Sequence, residues 1–218
     1  MDVLDNYKEF KRREYIYFEA YQHRNIYFIK TGHIRLGYID KDGKEIIKDI
    51  LRPGDFFGQV SLNKDDLNGE FAQAIRGDVS LCSFTLDNFN GLLAARPTLA
   101  LRYSKISGLR IRRFANRVEN ILRNDVRTRL RLFLNQQLEE VADSARRVGR
   151  EIRIPNYLTH EDIAQLIGTS RQTVTTLFNL FEKEGICVYT RKELRFFDGG
   201  QNGLTAPLEL HAEAGNGW

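Results

Sequence analysis

The sequence predicts an α+β chain with a β-rich N-terminal domain, one long helix and a C-terminal winged helix–turn–helix. Three observations carry this reading. Short β-prone runs punctuated by glycine turns fill residues 14–84. A helical pattern then runs from Pro97 to about Asn124. Near the C-terminus, Leu158–Glu184 holds two amphipathic segments around a glycine. With 218 residues, 42% of them hydrophobic, the chain is long enough for one large or two small cores.

Tyr15–Phe18, Ile26–Ile29, His33–Ile39, Glu45–Leu51, Phe71–Arg76 and Val79–Phe84 read as strands. Thr31–Gly32, Lys41–Asp42–Gly43, Pro53–Gly54–Asp55 and Gly77–Asp78 read as the turns between them. Regular short strands of this kind suggest a sandwich or jelly roll. Leu86–Ala95 is a short helix opened by Thr85 or Asp87. Pro97 suits a first helical position. The helix it opens carries Ile111, Phe114, Val118 and Ile121 at alternating three- and four-residue spacing, a coiled-coil seam of two heptads. That seam pairs with a second copy or packs on the β domain; Leu109 and Leu122 offer another face for the domain. Asp125 interrupts the pattern and can cap a new helix through Leu138, which puts a hinge near Arg123–Asp125. The expected divisions are a β-rich domain at 1–96, a dimerisation helix at 97–124, a winged helix–turn–helix at 125–198 and a Gly-rich, disordered tail at 199–218.

The helix–turn–helix segment is the most informative. Thr159 can cap its first helix, with Asp162 at the reciprocal capping-box position. Ile163, Ala164 and Ile167 make one apolar face, and Gly168 supplies the positive φ of a tight turn. Thr169 and Ser170 offer a second cap. Val174, Leu177, Phe178 and Phe181 repeat at helical spacing, and Gly185 can end the helix. This leaves Ser170, Arg171, Gln172, Thr173, Thr175 and Thr176 facing outward. Those side chains hydrogen-bond base edges and phosphates, so the segment points to a DNA major groove. The bland alternative is a helical hairpin with a polar outer face. Ile186–Tyr189 and Leu194–Phe197 flank Thr190–Arg191–Lys192–Glu193 and read as a two-stranded wing, whose Lys192 can reach a backbone phosphate. The stretch Arg102–Arg131 is dense in cations and opposed only by Glu119 and Asp125. It either attracts phosphate at long range or forms a solvated face whose stems cover apolar surface, and both can hold at once.

Composition excludes several classes. Net charge is only +4. There is no apolar run of membrane-spanning length and no signal-peptide pattern at the start, so no membrane is expected as a partner. Cys82 and Cys187 lie far apart in apolar strands and read as small buried hydrophobes in a reducing cytoplasm. Two cysteines cannot make a four-cysteine iron–sulfur cluster or a Cys-only zinc site within one chain. His23, His33, His160 and His211 are dispersed. No nucleophile has a paired base, and no glycine loop would cradle phosphate. The expectation is no catalytic residue, no metal and no cofactor.

Taken in order, residues 5–198 resemble the cyclic-AMP receptor protein / fumarate–nitrate regulator (Crp/Fnr) family of bacterial transcription regulators. The carrying motifs are IYFIKTGHIRLGYIDKDGKEIIKDILRPGDFFG (Ile26–Gly58) and LTHEDIAQLIGTSRQTVTTLFNLFEKEGIC (Leu158–Cys187). The resemblance implies an N-terminal double-stranded β-helix (a cyclic-nucleotide-binding-like jelly roll), a two-fold homodimer, palindromic double-stranded DNA and RNA polymerase as partners. It places Arg171 where a guanine-reading arginine is common. Gln172 stands where many members have glutamate, which would exchange a cytosine preference for adenine; its rival role is a capping box with Thr169. Thr176 replaces a second arginine of the cyclic-AMP receptor protein, so the operator should differ. Ser170 and Thr173 fit phosphate contacts.

The implied ligand site departs further. Cyclic-nucleotide members follow the PGDFFG-type turn with Gly–Glu and carry Arg–Ser before a later strand; here these are Gly58–Gln59 and Glu70–Phe71. The carboxylate for the ribose has become an amide, and the arginine for the phosphate has become a carboxylate. Polar residues expected to meet the base align with Phe114 and Ala115. Two anions about 4 Å apart repel by roughly 4 kcal/mol at an effective dielectric of 20. The small-molecule effector is therefore unknown and not a cyclic nucleotide; a nucleotide sensor with an unconventional pocket is the alternative. The turn Lys41–Asp42–Gly43–Lys44 and a loop near Arg146–Arg150 resemble positions that relatives use to touch polymerase, though such loops are commonly only solvated.

Overall fold

The computed structural model describes residues 7–18, 25–58, 69–140, 146–149 and 151–197. The chain divides into two compact units between Leu122 and Arg123. Gln59, His23, His211 and the tail 199–218 lie outside the described residues.

In the first unit, six strands form one antiparallel sheet: β1 (Tyr7–Phe10), β2 (Tyr15–Phe18), β3 (Asn25–Ile39), β4 (Glu45–Leu51), β5 (Phe56–Gly58) and β6 (Glu70–Thr85). The order is β1–β6–β3–β4, with β2 also on β6 and β5 on β3. The long strands β3 and β6 pair from Asn25↔Thr85 to Tyr38↔Glu70. The turns expected at Thr31–Gly32 and Gly77–Asp78 do not end strands. They are bends in one continuous ribbon, with register shifts between Ile29 and Ile34. Gly32 sits at φ 82 against β6, where a Cβ would lie 2.6 Å from Val79 Cγ2, so both strands bend at one level and the ladder continues. Short β1 and β5 were not among the expected strands; each is stabilised mainly by the long strand it borders.

A bulge in β4 matters later. Leu36 pairs with Asp49 and Gly37 with Ile47, so Lys48 is the extra residue. Its carbonyl is left off the β3 ladder and needs another donor. The core of this unit includes Ile29, Ile34, Leu51, Ala72, Val79 and Leu81, closed by the rings of Tyr17, Tyr27 and Phe57. These rings stack with centroids 5.0–6.1 Å apart. Helix α1 (Leu86–Ala95) is capped by Thr85 rather than Asp87. Helix α2 (Pro97–Arg123) follows and buries no residue. Leu109 and Leu122 are both exposed, so neither provides the alternative packing face.

The second unit opens with α3 (Val126–Glu140). Asp125 caps it by accepting from the Thr128 amide at 2.7 Å, and that bond holds its carboxyl below the usual range. Helices α4 (His160–Ile167) and α5 (Arg171–Lys183) pack beside a four-stranded sheet. Its strands are β7 (Arg146–Val148), β8 (Glu151–Pro155), β9 (Cys187–Tyr189) and β10 (Glu193–Phe197), in the order β7–β8–β10–β9. The expected two-stranded wing is thus half of a larger sheet. The expected loop near Arg146–Arg150 includes strand β7, paired with β8 around Gly149. The charges of that segment hid the alternation Glu151–Ile152–Arg153–Ile154, whose Ile154 is buried. Leu130, Leu134, Ile163, Val174, Phe178, Phe181 and Phe196 are among the residues of its core. Cys187 is buried, which pushes its thiol up to about 12; Cys82 is only half-buried.

Candidate nucleic-acid interface

The helix–turn–helix is built by local bonds. Thr159 Oγ1 accepts from the Asp162 amide at 3.1 Å, and Asp162 Oδ2 accepts from the Thr159 amide at 2.7 Å, completing the capping box. Gly168 ends α4 in the left-handed region at φ 68, ψ 54. Carbonyls at this helix end would lack donors. Arg129 of α3 supplies them, with Nη1 at 2.7 Å from the Ile167 oxygen and 3.1 Å from that of Gly168. Ser170 caps α5, its Oγ accepting from the Thr173 amide at 3.1 Å. Ser170, not Thr169, is the cap, so Thr173 holds the third helical position. The rival capping-box role of Gln172 is thereby removed.

Val174, Phe178 and Phe181 face inward, while Arg171, Gln172 and Thr176 are exposed. Thr176 donates its hydroxyl to the Gln172 carbonyl at 3.1 Å, leaving a methyl and an acceptor lone pair for an outside partner. Ser170 and Thr173 hydroxyls lie 2.8 Å apart. Thr175 does not belong to the outward set: it is half-buried and bonded to His160 Nδ1 and the Arg171 carbonyl.

The wing tip is held from behind. The Asn156 amide donates to the Lys192 carbonyl at 2.9 Å, and Asn156 Nδ2 donates to that of Thr190 at 2.7 Å. Tyr189 donates to the Leu158 carbonyl at 2.8 Å, tying β9 to the segment before α4. Arg191 and Lys192 are exposed on this fixed turn.

In the first unit, Gly58 sits at φ 98 with a Cβ position 2.3 Å from the Asn25 oxygen, which only glycine tolerates. Glu70 is buried and accepts from Tyr17 Oη at 2.8 Å, with Lys48 Nζ 3.5 Å away. Burial and the Glu70 charge push the Tyr17 hydroxyl well above its usual range. Phe71 is fully buried. Sequence reasoning found Glu70 but missed both of its partners, which are distant in the chain.

The arginine-rich stretch is largely used internally. Arg110 Nε lies 3.2 Å from Asp49, Arg117 Nη2 lies 3.4 Å from the same carboxylate, and Arg113 Nη2 lies 2.9 Å from Asp55. Arg117 Nη1 also donates to the bulged Lys48 carbonyl at 2.6 Å. Arg127 pairs with Glu184 at 2.6 Å. The spacing of 110, 113 and 117 on one helix face was the available signal. On α2, Ile111, Phe114, Val118 and Ile121 stay 69%, 36%, 57% and 43% exposed.

A family model for the cyclic nucleotide-binding domain matches residues 7–96, and one for the Crp-like helix-turn-helix domain matches residues 128–198. The chain belongs to the Crp/Fnr family. It is 28% identical over 177 residues to the CRP-like cAMP-activated global transcriptional regulator of Mycobacterium tuberculosis, covering 81% of this chain and 77% of the relative. It is 29% identical over 185 residues to the global nitrogen regulator of a Nostoc species, covering 84% and 82%. A solved structure of a CooA variant from Carboxydothermus hydrogenoformans aligns with a TM-score of 0.71 at 27% identity, over 91% of this chain and 87% of that one. Within the Crp/Fnr fold, the curled sheet is the cyclic-nucleotide-binding-type domain and α4–α5 are the helix–turn–helix. Its curated relatives are DNA-binding transcription regulators rather than enzymes, and this chain shares that function class. Among the described residues, no helix is long and apolar enough to cross a membrane.

Proposed function

We propose that this Crp/Fnr protein is a cytoplasmic two-fold homodimer that reads a palindromic duplex operator without a cyclic nucleotide. Residues 97–124 serve as the dimerisation helix, and half-sites lie about one helical turn apart, near 34 Å. Arg171, Gln172 and Thr176 read base edges; Ser170, Thr173 and Lys192 hold phosphates. The operator-bound dimer then engages RNA polymerase, as the family resemblance implies.

The observation that carries the nucleotide-free half is Glu70. A cyclic phosphate aligned on it would meet a carboxylate already held by Tyr17 and Lys48. A bare carboxylate would repel the phosphate by roughly 4 kcal/mol at 4 Å; the Lys48 ammonium 3.5 Å from Glu70 offsets part of this, so the loss is at most nearly three decades of affinity. The stacked rings of Tyr17, Tyr27 and Phe57 also occupy the interior of the sheet. Titration calorimetry with cyclic AMP and cyclic GMP is the test. No saturable heat is expected at about a hundred micromolar nucleotide, and micromolar affinity for either would overturn the reading. That outcome would favour a nucleotide-responsive regulator with an unconventional pocket, the reading supported by likeness to a cAMP-activated relative. Selection of bound duplexes from a random pool would give the operator.

A further inference from the structure

His160 opens α4, yet its ring is packed within the helix–turn–helix. Phe178 of α5 stacks on it with centroids 5.2 Å apart and planes 13° from parallel, and Tyr189 of β9 lies 4.1 Å away. Nδ1 is 2.8 Å from Thr175 Oγ1, and that oxygen is 3.0 Å from the carbonyl oxygen of Arg171. A carbonyl has no hydrogen to give, so the contact with Arg171 uses the threonine's one hydroxyl hydrogen. The histidine must then be the donor, with its proton on Nδ1. Nε2 is left as a buried lone pair with no hydrogen-bond partner. A second proton there would be an N–H without an acceptor, stripped of its water.

None of the surrounding groups hydrogen-bonds Nε2. Arg171 on α5 adds a like charge. The Tyr189 hydroxyl donates to the Leu158 carbonyl, the Asp162 carboxylate accepts from Thr159, and the Glu161 carboxylate accepts from Gln165. Burial first and Arg171 second hold the imidazole below its usual pKa. The unfolded chain, titrating near about 6.5, therefore takes up protons before the folded one does. Stability from this group is complete above that pH and is lost as pH falls toward the folded value.

We propose that His160 is a positioning residue for DNA reading: its neutral, Nδ1-protonated ring ties α4 to the first turn of α5 through Thr175, fixes the backbone that carries Arg171, and gives sequence recognition an acid limit. This rests on α5 being the helix that reads DNA.

The test uses the full chain, a palindromic duplex selected from a random pool and a scrambled duplex of equal composition, at constant ionic strength. The ratio of specific to scrambled affinity is expected to fall severalfold, by less than tenfold, between roughly pH 7.5 and 5.5 in the unchanged protein, because the folded ring titrates below about 6.5. His160→Phe keeps the ring stack but has no proton to give or take; its ratio should start lower and stay flat with pH. Thr175→Val should lower the ratio at the higher pH, and Thr175→Ser should restore it. A His160→Phe profile that falls in parallel with the unchanged protein would overturn the proposal, as would a Thr175→Val ratio equal to it. Histidine nitrogen-15 spectra of the unchanged protein need neither variants nor DNA. They should show Nδ1 protonated, Nε2 bare and a midpoint below that of free imidazole, and the opposite tautomer would sink the relay. If no duplex can be selected, the operator reading fails, and the spectra decide the relay by themselves.

Discussion

Ile111→Glu combined with Val118→Glu is expected to leave a monomer with little hold on a palindromic duplex. Both side chains are more than half exposed on α2 and one heptad apart, on the face proposed to meet a second copy. Each apolar side chain of this size contributes about 1.5–3 kcal/mol when fully buried. Replacing both with charges removes that gain and adds a desolvation cost. Phe114→Glu is the weaker choice, because Arg110 and Arg117 lie 5.8 and 5.4 Å from the Phe114 ring and would pair with a carboxylate placed there. Sedimentation at micromolar concentration should give the 25.3 kDa species. Operator affinity should fall by about two decades or more, since the second half-site no longer binds intramolecularly. Circular dichroism should stay unchanged, because α2 buries no residue in its own unit. A dimeric mass for this variant would place the subunit contact elsewhere.

Arg171→Ala is expected to cost about 1–3 kcal/mol on the selected operator and to relax preference at one base pair, because a bidentate contact to guanine is lost. Lys192→Ala should act differently. Removing one phosphate contact weakens binding to every duplex alike and lowers the slope of log affinity against log salt by about one. The two variants need measuring on operator and scrambled DNA at several salt concentrations. Equal weakening of both duplexes by Arg171→Ala would make that arginine a phosphate anchor and move the reading face along α5.

The parts of this molecule that were legible in its sequence are those made by neighbours in the chain. The Thr159–Asp162 capping box, the left-handed Gly168, the inward Val174, Phe178 and Phe181, and the Asp125 cap all depend on residues within one or two turns of each other. The turns at Lys41–Gly43 and Pro53–Asp55 were legible for the same reason. What failed depends on distance. Gly32 and Gly77 look like strand ends until each is seen bending with its partner strand. Glu70 read as a lone charge because Tyr17 and Lys48 come from other strands. The arginines of α2 read as free cations because Asp49 and Asp55 lie more than fifty residues away. Thr175 reads as outward because His160, its partner, precedes the turn.

The shared carboxylate of Asp49 has a mechanical consequence. It accepts from Arg110 and Arg117, which lie about two helical turns apart, a span near 10 Å. One bond would act as a pivot, whereas two bonds two turns apart act as a splint. The Lys48 carbonyl, freed by the bulge, anchors the far end of that splint. The azimuth of α2 about its own axis is therefore set by strand β4 together with Asp55 and Phe56, which accept from Arg113 and Arg110, and so is the direction in which Ile111 and Val118 point. A shift of β4 by one residue would turn the whole apolar edge of the helix, which makes the bulge at Lys48 the setting screw for how two copies could meet.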